Sequence, residues 1–210
     1  MKTIAIFGGT FDPIHLGHLQ SALELKQRLQ LDELRMLPCH LPPHRGSPGC
    51  SSRQRLEMVR LACADTGLSV DDRELRRSGT SFSVDTLEEL RAELGDAVSI
   101  IWVMGADAFN GLDTWHRWRD VLQLAHIVVI ARPGETLPAD GPVAELLQCR
   151  RTDDPERLRG APCGCILPLS LSPYAIAATD IRASLKKGEA VDHVLPGGVV
   201  NYINTHHLYR

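Results

Sequence analysis

The strongest constraint on the fold is the stretch from Ile4 to His18. Thr3-Ile4-Ala5-Ile6-Phe7 is an apolar run, too short for a helix but suited to a strand buried on both faces. Gly8-Gly9-Thr10 follows at once, then Phe11-Asp12-Pro13-Ile14-His15-Leu16-Gly17-His18. Leu19, Leu23 and Leu25 to Leu29 continue as one amphipathic helix. The unit is strand, glycine turn, helix.

Two glycines after a strand let backbone approach a ligand closely, and Thr10 adds a hydroxyl that can donate to a phosphate oxygen. The following helix turns its free N–H groups and the positive end of its dipole toward the same place. His15 and His18 are three apart, which puts both imidazoles on one face of the first helical turn. A tight turn with helix-cap histidines would account for the glycines alone. The glycines, Thr10 and the spaced histidines together point to a phosphate site.

Gly8-Gly9-Thr10-Phe11-Asp12-Pro13-Ile14-His15-Leu16-Gly17-His18 resembles the signature of the nucleotidyltransferase superfamily, whose H-x-G-H element binds a nucleotide triphosphate. The fuller form, GGTFDPxHxGH, is similar to that of the bacterial nicotinate mononucleotide adenylyltransferases. It is neither the dinucleotide fingerprint nor the P-loop pattern. The resemblance implies that His15 and His18 act in catalysis and that Gly8, Gly9, Thr10 and Phe11 contact ATP.

Further along, Leu34 to Leu37 reads as a second strand and residues 39–52 as a loop rich in proline and glycine. His44 and Arg45 within it are a solvated basic pair or a phosphate contact; Pro42-Pro43-His44-Arg45 resembles a family element that touches substrate (His44) and triphosphate (Arg45). Ser52 to Ala64 predicts a helix with Leu56, Val59, Leu61 and Cys63 apolar and Arg53, Arg55, Glu57 and Arg60 between them. Leu68 to Leu75 predicts a strand. Ser83, ahead of Leu87, Leu90 and Leu94, is a helix N-cap or part of a second anion site; the segment resembles one that holds the pyridine carboxylate.

Val98 to Met104 is the most apolar strand, expected at the sheet centre, and Gly105 and Asp107 follow at its carboxyl end. Asp107 either caps the next helix or meets the nucleotide, and the resemblance assigns Gly105 and Asp107 to ATP. Trp115 offers an indole face to a cationic pyridinium ring, whereas Trp118 has core spacing with Val121 and Leu122. The family pattern likewise matches Trp115 to pyridine stacking, and Arg132, after the strand His126 to Ala131, is carried over as substrate-binding. Val143 to Leu147 predicts a short helix and Ile166 to Leu169 a last strand.

In Ser172 to Arg182, Thr179 is placed to cap a helix running to Lys187, with Arg182 beside the same N-terminus. The segment resembles a family I-S-x-T-x-I-R element, which implies ATP contacts for Thr179 and Ile181 and a catalytic role for Arg182. It departs at Ala177, where serine is usual. Val194 to Leu208 predicts a closing helix against the sheet.

The alternation of strands and helices predicts an α/β, Rossmann-like, doubly wound and mostly parallel sheet, in one domain over residues 1–210. A formal charge of −3 gives no general attraction to nucleic acid, and no apolar run reaches membrane-spanning length. A cytoplasmic location follows as the expectation. The six cysteines are expected as reduced thiols, with Cys163-Gly164-Cys165 lacking a second pair at zinc spacing. The expected partners are ATP and nicotinate mononucleotide, with Mg²⁺ held mainly by the ATP phosphates, no protein metal ligands, and a homo-oligomer left open. Other adenylyltransferases of the superfamily and a non-catalytic nucleotide sensor are the competing functions.

Overall fold

A computed structural model describes residues 1–41, 48–131 and 134–210. His44, Arg45 and Arg132 therefore lie outside the described residues. The chain forms two compact units. One comprises Met1–Gly8, Leu25–Leu34 and Phe82–Pro173; the other comprises Gly9–Glu24, Arg35–Ser81 and Tyr174–Arg210. The six strands have the sheet order β3-β2-β1-β4-β5-β6, where β1 is Lys2–Gly9, β2 Glu33–Pro38, β3 Ser69–Val70, β4 Val98–Gly105, β5 His126–Ala131 and β6 Ile166–Ser170. This is the doubly wound order expected from the sequence, with its switch point between β1 and β4.

In the first unit β1, β4, β5 and β6 pair in parallel, with Ile4 opposite Ile100, Ile101 opposite His126 and Val128 opposite Leu167. Ile4, Ala5, Ile6, Ile100, Ile101, Ile127 and Val128 have no exposed surface. Strands buried on both faces must be apolar throughout, which is why these segments read as continuous hydrophobic runs. After α1 (Leu16–Arg28), α2 (Ser52–Cys63) and α3 (Arg73–Arg76), the helix α4 (Ser83–Leu94) belongs to this unit and buries Val84, Leu87 and Leu90. Its Arg91 donates to the carbonyls of Gly95 and Val98 (2.8 Å each) and Pro162 (3.1 Å), tying the helix end to two chain segments. The short helices α5 (Ala106–Asn110) and α6 (Val121–Leu124), then α7 (Gly141–Arg150) and α8 (Arg157–Gly160), complete the unit. His126 is fully buried; its Nδ1 accepts the Cys165 main-chain N–H at 3.0 Å and its Nε2 lies 2.9 Å from the Ala161 carbonyl. Those partners fix the Nε2–H tautomer, and burial lowers the His126 pKa.

In the second unit β2 and β3 pair in parallel through Arg35 to Ser69 and Met36 to Val70. The strand expected over Leu68 to Leu75 is cut to two residues. The Asp71 carboxylate accepts the main-chain N–H of Arg73 at 3.1 Å and its guanidinium at 2.8 Å, a local turn that ends β3 and starts α3. Helix α2 opens on a capping box, Ser51 accepting the Gln54 N–H at 3.3 Å and Gln54 accepting that of Ser51 at 2.9 Å. Its buried stripe is Arg55, Leu56, Met58, Val59, Ala62 and Cys63, so Arg55 is inside and Leu61 is exposed, the reverse of the sequence reading. Helices α9 (Ala178–Lys187) and α10 (Gly197–Thr205) close the chain. The last helix, expected against the sheet, packs on α2, where a Cβ at Gly198 would meet Leu61 Cβ at 3.5 Å.

Candidate functional site

The glycine turn is shaped by an aromatic ring. Phe11 adopts a left-handed backbone conformation (φ 51°) and is 3% exposed. Its ring lies across Gly9, so that a Cβ there would sit 2.8 Å from Phe11 Cε1 and Cζ. Gly9 is thus required by the folded loop itself, in addition to any ligand. The same ring meets His18 edge-on, with centroids 5.1 Å apart at 88°.

The two histidines pair face to face, although not as the sequence reading placed them. Helix α1 begins at Leu16, leaving His15 just outside it. The imidazoles stack at 3.6 Å with 24° between their planes. The His15 main-chain N–H points at His18 Nδ1, and the His18 N–H at His15 Nδ1, each at 3.3 Å. An Nδ1 that accepts cannot carry the proton, so each neutral ring is held as the Nε2–H tautomer. Both Nε2 atoms are donors. Gly17 makes room for this pair: a Cβ there would stand 3.1 Å from His15 Nδ1 and 3.4 Å from Tyr174 Cβ.

Two arginines hold the turn from the same unit. Arg182 of α9 donates to the main-chain carbonyl of Asp12 at 2.7 Å, with the Asp12 carboxylate 3.8 Å away and a third of its side chain exposed. The guanidinium is thus partly exposed and is of the type that binds anions. Arg55, which the sequence reading placed on a polar face, is completely buried and donates to the carbonyls of Thr10 (2.6 Å) and His40 (3.0 Å). Among the described residues its Nε has no partner. The one signal in the sequence was its spacing with Val59 and Ala62 along the stripe.

Two expected caps are displaced. Thr179 is exposed in the first turn of α9, and the N-cap is Ala177, whose side chain supplies no hydrogen bond. Ser83 likewise lies one residue inside α4, with Phe82 as N-cap. Ile181 is 4% exposed and anchors α9 in its unit. Among the described residues no side-chain hydrogen bond caps either helix start, which suits the anion binding expected there.

In the first unit, Gly8 is next to last in β1 and Gly105 is last in the adjacent β4, at the switch point. Asp107, exposed in the first turn of α5, folds back so that its Oδ1 would lie 2.6 Å from a Cβ at Gly105. Phe82 packs on His116 with ring centroids 4.6 Å apart. Trp115 is half-buried and closes a 3₁₀ turn by donating to the Leu112 carbonyl at 3.0 Å. Trp118 is core as expected, with the Arg119 guanidinium 4.3 Å from its ring centroid.

All six cysteines are free. Burial pushes the Cys39 and Cys50 thiols up to about 12 and Cys63 to about 11, so these three are not poised as thiolate nucleophiles. Among the described residues no cluster of three or more His, Cys, Asp or Glu could hold a metal. No helix among them is long and apolar enough to cross a membrane.

The family profile described as "Cytidylyltransferase-like" matches residues 6–184. A Cellvibrio japonicus protein named "Probable nicotinate-nucleotide adenylyltransferase" is 51% identical over 209 residues, covering 99% of both chains. A Pseudomonas aeruginosa protein of the same name is 47% identical over 210 residues, covering 100% of this chain and 98% of its own. Among solved structures, a Plasmodium falciparum nicotinic acid mononucleotide adenylyltransferase complexed with NaAD has a TM-score of 0.75 at 16% identity, covering 100% of this chain and 98% of that one. At that identity the likeness is one of fold.

Proposed function

The chain belongs to the cytidylyltransferase-like family and matches nicotinate-nucleotide adenylyltransferases over its full length, and from that we propose how its residues carry the reaction. The enzyme joins ATP and nicotinate mononucleotide into nicotinate adenine dinucleotide and pyrophosphate, a step of NAD biosynthesis. An oxygen of the mononucleotide 5′-phosphate attacks the α-phosphorus, the bond from that phosphorus to the bridging oxygen breaks, and pyrophosphate leaves. The substrate brings its own nucleophile, so the protein's work is alignment and charge stabilisation.

The stacked histidines support this reading above all. With each Nδ1 occupied by the other residue's N–H, His15 and His18 direct Nε2–H donors at charge developing on the triphosphate oxygens. Thr10 and the partly exposed Arg182 guanidinium extend that donor set, with Arg55 holding the Thr10 carbonyl. Gly8, Gly9, Phe11, Arg45, Gly105, Asp107, Thr179 and Ile181 complete the ATP contacts in this proposal. His44, Ser83, Trp115 and Arg132 take the nicotinate mononucleotide, with the indole stacking on the pyridinium ring.

Mg²⁺ fits as a companion of the triphosphate. The turn offers donors, and both oxygens of the Asp12 carboxylate are taken by Gly49 and Tyr209, so the ion would be held by phosphate oxygens. Bound there it neutralises phosphate charge.

His18 variants test the assignment. His18→Ala should lower kcat by about 10²- to 10³-fold, the typical loss for one such donor. Gln places an amide N–H near the Nε2 position and Asn near Nδ1, so His18→Gln should keep more activity than His18→Asn. Equal loss in the two amides would reject the Nε2–H assignment.

A further inference from the structure

The last turn of the chain reaches back into the phosphate-handling loop. Leu208 and Tyr209 are each 8% exposed, and Leu208 donates its main-chain N–H to the Ile203 carbonyl at 3.0 Å. Tyr209, in a left-handed conformation (φ 63°), donates its hydroxyl to Asp12 Oδ1 at 2.7 Å. The other carboxylate oxygen, Oδ2, accepts the Gly49 main-chain N–H at 2.7 Å. Cys50 Sγ lies 3.0 Å from the Tyr209 oxygen and 3.4 Å from Asp12 Oδ1. The tyrosine's single proton goes to the carboxylate, the stronger acceptor, so the thiol, kept neutral by burial, donates to the tyrosine oxygen or to the carboxylate. The ring is fitted as closely as the hydroxyl: a Cβ at Gly49 would lie 2.8 Å from Tyr209 Cε1.

Asp12 is therefore held at both carboxylate oxygens while its main-chain carbonyl holds Arg182 at 2.7 Å. The carboxylate itself stands 3.8 Å from the same guanidinium nitrogen. Gly49 holds Oδ2, the oxygen facing Arg182, and Tyr209 holds Oδ1, so the two bonds together fix the carboxylate plane and restrain it from closing on the guanidinium.

We propose that Tyr209, next to last in the chain, is a positioning residue for the adenylyl transfer, keeping the Asp12 carboxylate engaged so that Arg182 stays available to the triphosphate. This rests on the role given to Arg182 above. Without the hydroxyl, Asp12 Oδ1 keeps only the weak Cys50 thiol donor at 3.4 Å, and the less restrained carboxylate turns toward Arg182, where it competes with ATP.

The experiment is a kinetic double-mutant cycle with Tyr209→Phe and Arg182→Met, recording pyrophosphate release against ATP concentration. Tyr209→Phe alone should lower kcat/KM for ATP by roughly tenfold, mostly through KM, the size expected for one hydrogen bond to a charged group. In the Arg182→Met background the same change should cost less than about twofold, because its target is gone. A purely structural role would lower the thermal midpoint and give equal kinetic losses in both backgrounds, which would overturn the proposal. So would unchanged kinetics in folded Tyr209→Phe. Gly49→Ala, which displaces the ring instead of deleting the hydroxyl, should reproduce the KM effect and serves if Tyr209→Phe fails to fold. Arg182→Met with wild-type kcat/KM would instead reject the role of Arg182, a separate failure.

Discussion

Replacing Arg55 by Met should destabilise the protein by roughly 3 kcal/mol, and the figure can be built from its contacts. The guanidinium is wholly buried and donates to the carbonyls of Thr10 and His40. Two charge-assisted bonds at about 1.5 to 3 kcal/mol each would set an upper bound near 6 kcal/mol. The His40 carbonyl still has the Ser52 hydroxyl at 3.0 Å, so only the Thr10 oxygen is left without its donor. Burying a cation that forms no ion pair among the described residues also carries a desolvation cost, which Met removes. The two corrections bring the expected loss to about 3 kcal/mol, a large part of the roughly 5 to 15 kcal/mol that holds a typical protein folded. Urea unfolding followed by circular dichroism reads it as a lower midpoint at unchanged slope. Arg55→Lys keeps the charge but cannot bridge both carbonyls, so it should lose less stability while lowering kcat/KM for ATP through a loosened Thr10. A loss below about 1 kcal/mol in Arg55→Met would refute the clamp.

Ala177 has the extended backbone of an N-cap (φ −122°, ψ 133°) without a side-chain acceptor, so Ala177→Ser should raise stability by about 1 kcal/mol in the same assay. Gly17→Ala improves helix propensity by up to about 1 kcal/mol, yet its Cβ would press on His15 Nδ1 from 3.1 Å. It should leave the thermal midpoint within a few degrees and lower kcat at least tenfold, since misplacing a donor is costly. The folded-state pKa of buried His126 lies below its unfolded value of about 6.5, so below that value the unfolded chain takes up the proton first. Its contribution is complete above pH about 6.5 and fades as pH falls toward the folded pKa; in His126→Gln this part of the pH dependence should vanish from a series of denaturation midpoints.

The opening strand and turn, β4 and β5 were legible because buried parallel strands must be apolar along their whole length and the turn after β1 needs glycine. The histidines were found by spacing, but their mutual N–H to Nδ1 contacts depend on where α1 starts, which spacing does not give. Arg55 was misread because charge ordinarily marks a solvated face, and only the two carbonyls beneath the helix explain its burial. Ser83 and Thr179 looked like caps because hydroxyls favour that position; tertiary packing set both helix starts one or two residues earlier. Tyr209 left no local signal, since its partner Asp12 is 197 residues away in sequence.

Pyrophosphate release from ATP and Mg²⁺, with nicotinate mononucleotide, nicotinamide mononucleotide and phosphopantetheine offered separately, tests the central claim most directly. The nicotinate form should give a kcat/KM at least about tenfold above either competitor, about 1.4 kcal/mol of selective transition-state binding. Preference for another acceptor, or ATP binding with no release from any of the three, would contradict it.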